Sequence, residues 1–470
     1  PTTPAVYTLP DYFVEAGTTV TLCSNTVAPG AANPSLFTYT SIVHSVTGAM
    51  TVTGGTITPT QAGTITFTNL AYNGGTARTF TMEVLPALSM AANPQFRTLY
   101  NGNARAASIE VYPSPGAGTV YATGASLKSA IEAAAPGATL IVADSDLSSY
   151  DLTGLTAKDF GNVTITATNR HGLKLNSVDL SGVVGLVFHG IEAINGFSFS
   201  SIPAGSITLK HCRGRKFSAS GNPSSSKLFV ENWVGYDDGT NSQCTITNMK
   251  RLQVDRFAHS NIDRINGADN IHWSVVDEVI GRFWCVGENH VMATANNPDP
   301  HLDNAQSYGS GASGVTRSFF RYIYMPNTYL SGDAKTEGLF LTGVYNQSCT
   351  IDNVIAVPTL GNAIIVGQAQ QGISITNSFG QGTFQVQSDS LTYSAYAKDN
   401  IVGGYGNVLA SASLGTEIGT VTGVSMSTIY PQYSTYAGTW EAFDNPAPAY
   451  ATKGPYQFVA MLAASKAAYP

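Results

Sequence analysis

The stretch from residue 118 to about 405 contains short strand-like runs of one form, and their spacing constrains the fold more than any other feature. The runs include "VTITATN", "LVFHGIE", "ITLKHCRG", "LFVENWVG", "LQVDRFAHS", "IHWSVVDEV", "CTIDNVIA", "ISITNSFG" and "YAKDNIVG". Aligning an equivalent residue in each gives Ile165, Phe188, Leu209, Val230, Val254, Trp273, Ile351, Ile375 and Lys398, at intervals of 23, 21, 21, 24, 19, 78, 24 and 23. The long interval fits three to four turns with insertions, and "GVTRSFFRYI" falls within it, about two turns after Trp273. A period near 22 with β-branched strands and Asn, Asp and Gly at the corners predicts a right-handed parallel β-helix. One coil cannot close a core alone. Stacked coils supply the missing contacts and pair the backbone above and below, leaving only the two ends open.

Composition agrees with an all-β chain: 47 Gly, abundant Thr and Ser, and 43% hydrophobic residues over 470 positions favour short strands and turns. The first half contains one clear helix. In "SLKSAIEAAAPG", Leu127, Ala130, Ile131 and Ala134 make an apolar face at i, i+3, i+4 and i+7, stopped by Pro136-Gly137. Its expected task is to plug the N-terminal end of the coil stack. A leucine-rich solenoid is excluded because its Leu spacing and repeated helix are missing.

Residues 1–88 read differently, as alternating strands with Gly, Pro and Asn-Gly turns. A small β-sandwich is expected there. It resembles immunoglobulin-like modules in length and strand spacing, but has one Cys and no Trp, so their paired-Cys and Trp signature is absent. Residues 89–117 read as a linker or collar, and 406–470 as a C-terminal cap or subunit-packing segment.

The helix followed by "GATLIVADSDLSSYDLTGL" and then the coils resembles the pectate-lyase-like superfamily of right-handed β-helix proteins over roughly residues 118–405. That superfamily includes polysaccharide lyases, hydrolases and bacteriophage tailspikes. The resemblance is specific for fold and weak for activity, because the fold hosts many functions. It implies a spike or receptor-binding protein of a phage or phage-like particle. Such a protein would be a homotrimer in the virion, held to other virion proteins through its N-terminal module, and would recognise host cell-surface polysaccharide, with or without cleaving it. The alternative is a secreted polysaccharide lyase or glycoside hydrolase with an accessory β-sandwich.

Three constellations are candidates for chemistry. In "NPDPHLDNAQSYG", His301 and Asp303 lie two apart and so on one face of a strand, and Gln306 joins them if the chain turns near Asn304. By the likeness of this stretch and the later "EGLFLTG" to segments of β-helix carbohydrate-active proteins, His301, Asp303, Gln306 and Glu337 become site candidates. Corner residues of these types also satisfy turn backbone, which is the competing structural reading.

The second constellation, "FAHSNIDRINGADNIHWSVVDEVIGRFW", carries His259, Asp263, Arg264, Asp269, His272, Asp277, Glu278 and Arg282. Stacking brings residues one period apart together, so Asp263, Asp277 or Glu278 is a candidate second carboxylate near His301. A glycoside hydrolase needs two carboxylates about 5–9.5 Å apart. A lyase needs a base and a group that neutralises a uronate, for which Arg282, Lys335 and Glu288 are candidates. The hydrolase pattern of paired Asp-Asp with later Gly-His-Gly and Arg-x-Lys is not found.

Third, "KHCRGRK" with Arg251, Arg256, Arg264, Arg282, Arg317 and Arg321 offers an arginine ladder for anionic polysaccharide, or else corner charges paired with Asp and Glu. Tyr308 is among the aromatic candidates for a sugar-stacking floor. Trp273 is expected in the interior.

No cofactor is implied. Asp299 and Asp303 with backbone carbonyls are a weak Ca²⁺ candidate, lacking a loop-type ligand set. A net charge of −7 argues against a general nucleic-acid binder, and no apolar run reaches the ~20 residues of a membrane-spanning helix. The start "PTTPAVYTLP" lacks the pattern of a signal peptide. An excised Met or an earlier processed leader both fit Pro1, so virion and secreted locations stay open. The five cysteines form no CxxC pair, and buried free thiols are the expectation.

Overall fold

The computed structural model describes residues 13–22, 37–72, 77–88, 112, 114–235, 243–261, 271–289, 302–307, 315–325, 336–341, 345–356, 362–366, 373–376, 378–386, 395–398 and 401–405. Within them the chain is all-β apart from the helix Gly124–Ala133, and a 22-stranded parallel assembly runs from Thr139 to Tyr405. Strands pair in parallel with their equivalents one coil away, which is the architecture of a parallel β-helix.

Each full coil presents three sides, called front, flank and rear here. In the coil Cys244–Asn261 one continuous strand covers all three, turning at Asn248 (φ 52°) and Arg256 (φ 60°). The flank-to-rear corner recurs in the left-handed conformation at Gly190, His211, Asn232, Arg256, Tyr322 and Asn353. A left-handed residue reverses the local curl of a strand and so swings the chain onto the next side; Gly and Asn take this conformation at least cost.

The register corrects the alignment read from sequence. The interior stack of the flank is Leu140, Ile165, Phe188, Leu209, Val230, Val254, Gly281, Phe320, Ile351, Ile375 and Ala397. Trp273 is interior, as expected, but on the front, opposite Ile246; Lys398 stands one position past Ala397. The partner of Val254 is Gly281, which a hydrophobic pattern passes over. A Cβ there would lie 2.5 Å from the indole of Trp284, so the tryptophan fills the space that the glycine leaves. Trp284 Nε1 donates to the Val254 carbonyl at 2.7 Å, satisfying its polar atom inside the core.

The helix plugs the N-terminal end. Leu127 and Ile131 are fully buried in the same core cluster that extends to Phe384, and Thr123 caps the helix by accepting from the Ser126 N–H.

The N-terminal module is two-layered. Phe13–Glu15, Arg78–Leu85, Gly63–Tyr72, Ser41–His44 and Gly48–Ala49 form one sheet in that order, with Phe37–Thr38 also paired to Gly63–Tyr72. Val20–Thr21 with Thr56–Ile57 forms the second, smaller sheet, and Val20, Ile57, Ile65, Phe67 and Met82 share one core.

The module is docked on the flank. Alternation sends Val14 and Val84 into its own core, while Phe13 and Leu85 join Ile280 and Phe319 of the coils in a buried cluster. Glu15 and Glu83, on the same faces as Phe13 and Leu85, reach arginines: Glu15 pairs with Arg282 and Arg321, and Glu83 with Arg251. Residue 112 of the collar is also anchored: the Tyr112 hydroxyl donates to the Ala167 carbonyl at 2.5 Å, and its ring lies 4.8 Å from that of His189. The segment 406–470 lies outside the described residues.

Candidate functional site on the front face

Coil length is not uniform, and the excess is local. Along the flank stack the intervals are 21 from Leu209 to Val230, 39 from Gly281 to Phe320 and 31 from Phe320 to Ile351. Two residues separate the rear strand ending at Gly214 from the front strand starting at Phe217; later the chain leaves the rear at Asn289 and returns to the front at Leu302, twelve residues on. Ten more separate Met325 from Thr336. On the other side of the front, the single corner residues Asn248 and Val275 give way to seven residues between Ser307 and Val315. Extra chain therefore enters on both sides of the front face, around Ile271–Ser274, Leu302–Ser307 and Thr336–Leu341. Insertions into a repeat gather at binding faces.

The strands there bring together His272, Gln306 and Phe340, which occupy one register column. His272 Nδ1–H donates to Gln306 Oε1 at 3.1 Å. The second ring nitrogen of His272, Nε2, and the Gln306 amide NH₂ are further hydrogen-bonding groups of the pair. Together with the neighbouring Phe340 ring they are the chemistry by which a hydroxyl-rich ring is held. The fully buried Ile271, Ala305 and Leu339 lie on the inward side of the same strands and fix their spacing.

Asp303 and Glu337 are register partners in adjacent coils, about 4.8 Å apart along the backbone. Asn362 Nδ2 donates to Glu337 Oε1 at 3.3 Å, tying the carboxylate to the following coil. The strand Leu302–Ser307 runs unbroken through Asn304, so the turn that would carry Gln306 to the side of Asp303 is not made; Gln306 meets His272 instead. His301, Tyr308, Lys335, Asp263, Arg264 and Asp299 lie outside the described residues. Among the described residues, no group of three or more His, Cys, Asp or Glu is arranged to hold a metal ion.

The arginines of the proposed ladder are found elsewhere than on an open trough. Arg282, 1% exposed, is chelated by Asp255 at 2.8 Å and Glu15 at 3.0 Å, and donates to the Pro86 carbonyl at 2.6 Å. Arg256 is buried against Glu231 at 2.9 Å. Both placements replace the expected ligand contact with internal ion pairs: Arg282 has Asp255 as its register partner in the preceding coil and Glu15 from the N-terminal module, and Arg256 reaches Glu231 in the preceding coil. Arg251 sits between Glu278 and Glu83, Arg321 between Asp352 and Glu15, and Arg317 on Asp277, which also binds Lys250. These pairings hold the Arg251, Arg282 and Arg321 guanidiniums charged against the pull of burial and keep the Glu278 carboxyl below its usual range. From "KHCRGRK", Lys210 pairs with Glu231 at 3.1 Å and Arg213 with Glu192 at 3.9 Å, while His211 is a buried corner residue.

The second constellation is likewise divided among the sides. His259 is fully buried on the rear, stacked on Phe257 with centroids 5.4 Å apart, and accepts from Trp233 Nε1 at 3.4 Å. Asp277, Glu278 and Arg282 belong to the flank, and among the described residues of this constellation His272 faces the front.

No protein-family model, curated protein sequence or solved structure matches this chain.

Proposed function

We propose that the front face between Ile271 and Leu341 is a glycan-recognition site, and that the protein is a spike or receptor-binding protein of a phage or phage-like particle. The observation that carries this reading is the His272–Gln306 pair beside Phe340, on the one side where coil length grows at both margins. Planar amide and imidazole groups bind sugar hydroxyls in pairs, and an apolar ring covers the C–H face of a pyranose. The particle, the homotrimer and attachment through the N-terminal module rest on the resemblance to tailspikes.

A second reading, a secreted lyase or hydrolase, rests on the resemblance, and Asp303 and Glu337, register partners in adjacent coils, are the carboxylates that test it. In a hydrolase one carboxyl protonates the leaving oxygen while the other acts as base or nucleophile.

The test is to incubate the purified chain with capsule and other surface polysaccharides, measuring binding, new reducing ends and ultraviolet absorbance of unsaturated uronates. A single substitution, His272→Ala or Gln306→Ala, should weaken binding about tenfold, equivalent to one good hydrogen-bonded contact of ~1.4 kcal/mol. Product formation abolished by Glu337→Gln supports an enzyme, and binding without product supports recognition alone. Failure to bind any surface glycan ends both readings.

A further inference from the structure

The front face continues below the candidate site, and its chemistry there names a ligand class; this inference rests on the glycan-binding reading. We infer that the front face takes a linear, neutral polysaccharide laid along the helix axis, over a track that runs from Ser198 to Phe340. In register order the outward positions are Ser198, Ser218, Thr245, His272, Gln306 and Phe340, one per coil and each half-buried. Two residues along each strand, Ser220, Thr247 and Ser274 make a parallel second column. The interior positions between the columns are fully buried at Ile246 and Trp273, so the sheet beneath the track is a rigid floor.

Three features select the ligand. First, the outward side chains from Ser198 to Thr247 are all hydroxyls, which donate and accept equally and carry no charge. Second, none of the outward positions of the two columns carries a lysine or arginine, so no group of the track pairs with a uronate or sulfate. The cations that would compensate lie on the flank, where Asp255, Asp277, Glu278, Asp352, Glu15 and Glu83 hold them. Third, the hydroxyls repeat at the coil spacing of about 4.8 Å, comparable with the advance per sugar of an extended pyranose chain, so successive sugars meet equivalent groups. The arginine-ladder expectation of an anionic ligand is thereby replaced by a neutral one on a different side.

The experiment measures binding of the full chain to soluble neutral glucan, mannan and galactan, and to polygalacturonate, alginate and dextran sulfate, at low and high salt. The expected result is binding within the neutral set that changes less than twofold with salt. Thr245→Arg, remote from Asp303 and Glu337, should lower it at least tenfold. Thr245→Val keeps the strand-favouring shape, removes only the hydroxyl and should lower it about threefold, which covers the case in which the arginine variant fails to fold. Binding confined to the acidic polymers and lost at high salt overturns the inference while leaving glycan recognition standing. Neutral binding unchanged in Thr245→Val and Gln306→Ala also overturns it. Binding to none of the six polymers by folded protein overturns it too, and separate failure on the surface polysaccharides above is what ends the underlying reading.

Discussion

Glu15 closes on Arg282 across 267 residues of sequence, Oε1 to Nη1 at 3.0 Å, with both side chains almost fully buried at 3% and 1% exposure. Its other oxygen binds Arg321, the in-register neighbour of Arg282 one coil on. Two guanidiniums at coil spacing repel each other unless an anion lies across them, and here the anion comes from the N-terminal module. The module thus completes the electrostatics of the β-helix flank. Breaking a buried pair strands a charge, so Glu15→Ala should cost about 3–5 kcal/mol. Denaturant unfolding measures that loss, and limited proteolysis should release the module at lower protease concentration than in the wild type. A variant that unfolds at the wild-type midpoint would show that the docking contributes nothing to stability.

Acid should loosen the collar. The His189 ring is half-exposed, accepts or donates at Thr166 Oγ1 at 3.0 Å and lies against Tyr112. Burial, then the neighbouring His211 and Lys210 charges, lower its pKa to about 4. His171 is shifted in the same direction, mainly by burial. An unfolded histidine titrates near 6.5, so between that pH and about 4 the unfolded chain binds protons that the folded chain refuses. Stability contributed by the neutral rings is therefore complete above pH ~6.5 and lost as pH falls through this window. For His189, discounted for its solvent contact, the loss is roughly 1–2 kcal/mol. Unfolding midpoints measured from pH 7 to 4 should fall, and His189→Asn should flatten part of that slope. An unchanged slope in the variant would remove His189 as the cause.

The coil architecture was legible because β-branched strands recur near a period of 22, and the registers from Ile165 to Val254 follow that spacing. The reading slipped where one side chain does another's work. At Gly281 the interior position carries no side chain and Trp284 supplies the bulk, so hydrophobic pattern led to Trp273, eight residues early and on another side. Gly281→Ala tests this directly. Its new methyl meets the indole, and overpacking of this kind costs about 1–3 kcal/mol. Thermal unfolding should report the loss, and Trp284 fluorescence should shift as the ring is displaced.

The candidate site was only half legible. Gln306 was singled out from its polar neighbourhood, but its partner His272 is 34 residues away, and the 22-residue period does not lead from one to the other. The insertions that lengthen these coils both mark the site and hide its pairing. Of the two readings of the arginine row, paired charges rather than an open ladder are what the structure shows, and the partners were hidden for a related reason. The spacing of Arg251, Arg282 and Arg321 suggested an open row, whereas Glu15 and Glu83, which occupy it, come from a module whose docking no local pattern announces.

Burial of the described thiols agrees with the reading of their scatter. Cys212, Cys244 and Cys349 are free and fully buried, and Cys212 Sγ donates to the Phe188 and Lys210 carbonyls at 3.3 Å. Burial pushes the Cys212 thiol up to about 12 and raises that of Cys244 as well. The thiolate is the reactive form, so at pH 8 almost none exists at either site, and reagent access requires the coils to part. Alkylation followed by peptide mass mapping should find Cys212, Cys244 and Cys349 unmodified in native protein and fully modified in denaturant. Their modification should appear at the unfolding transition of the β-helix, not earlier with release of the N-terminal module. Labelling of Cys212 in native protein at a rate near that of a free thiol would show that the interior of its coil is open to solvent.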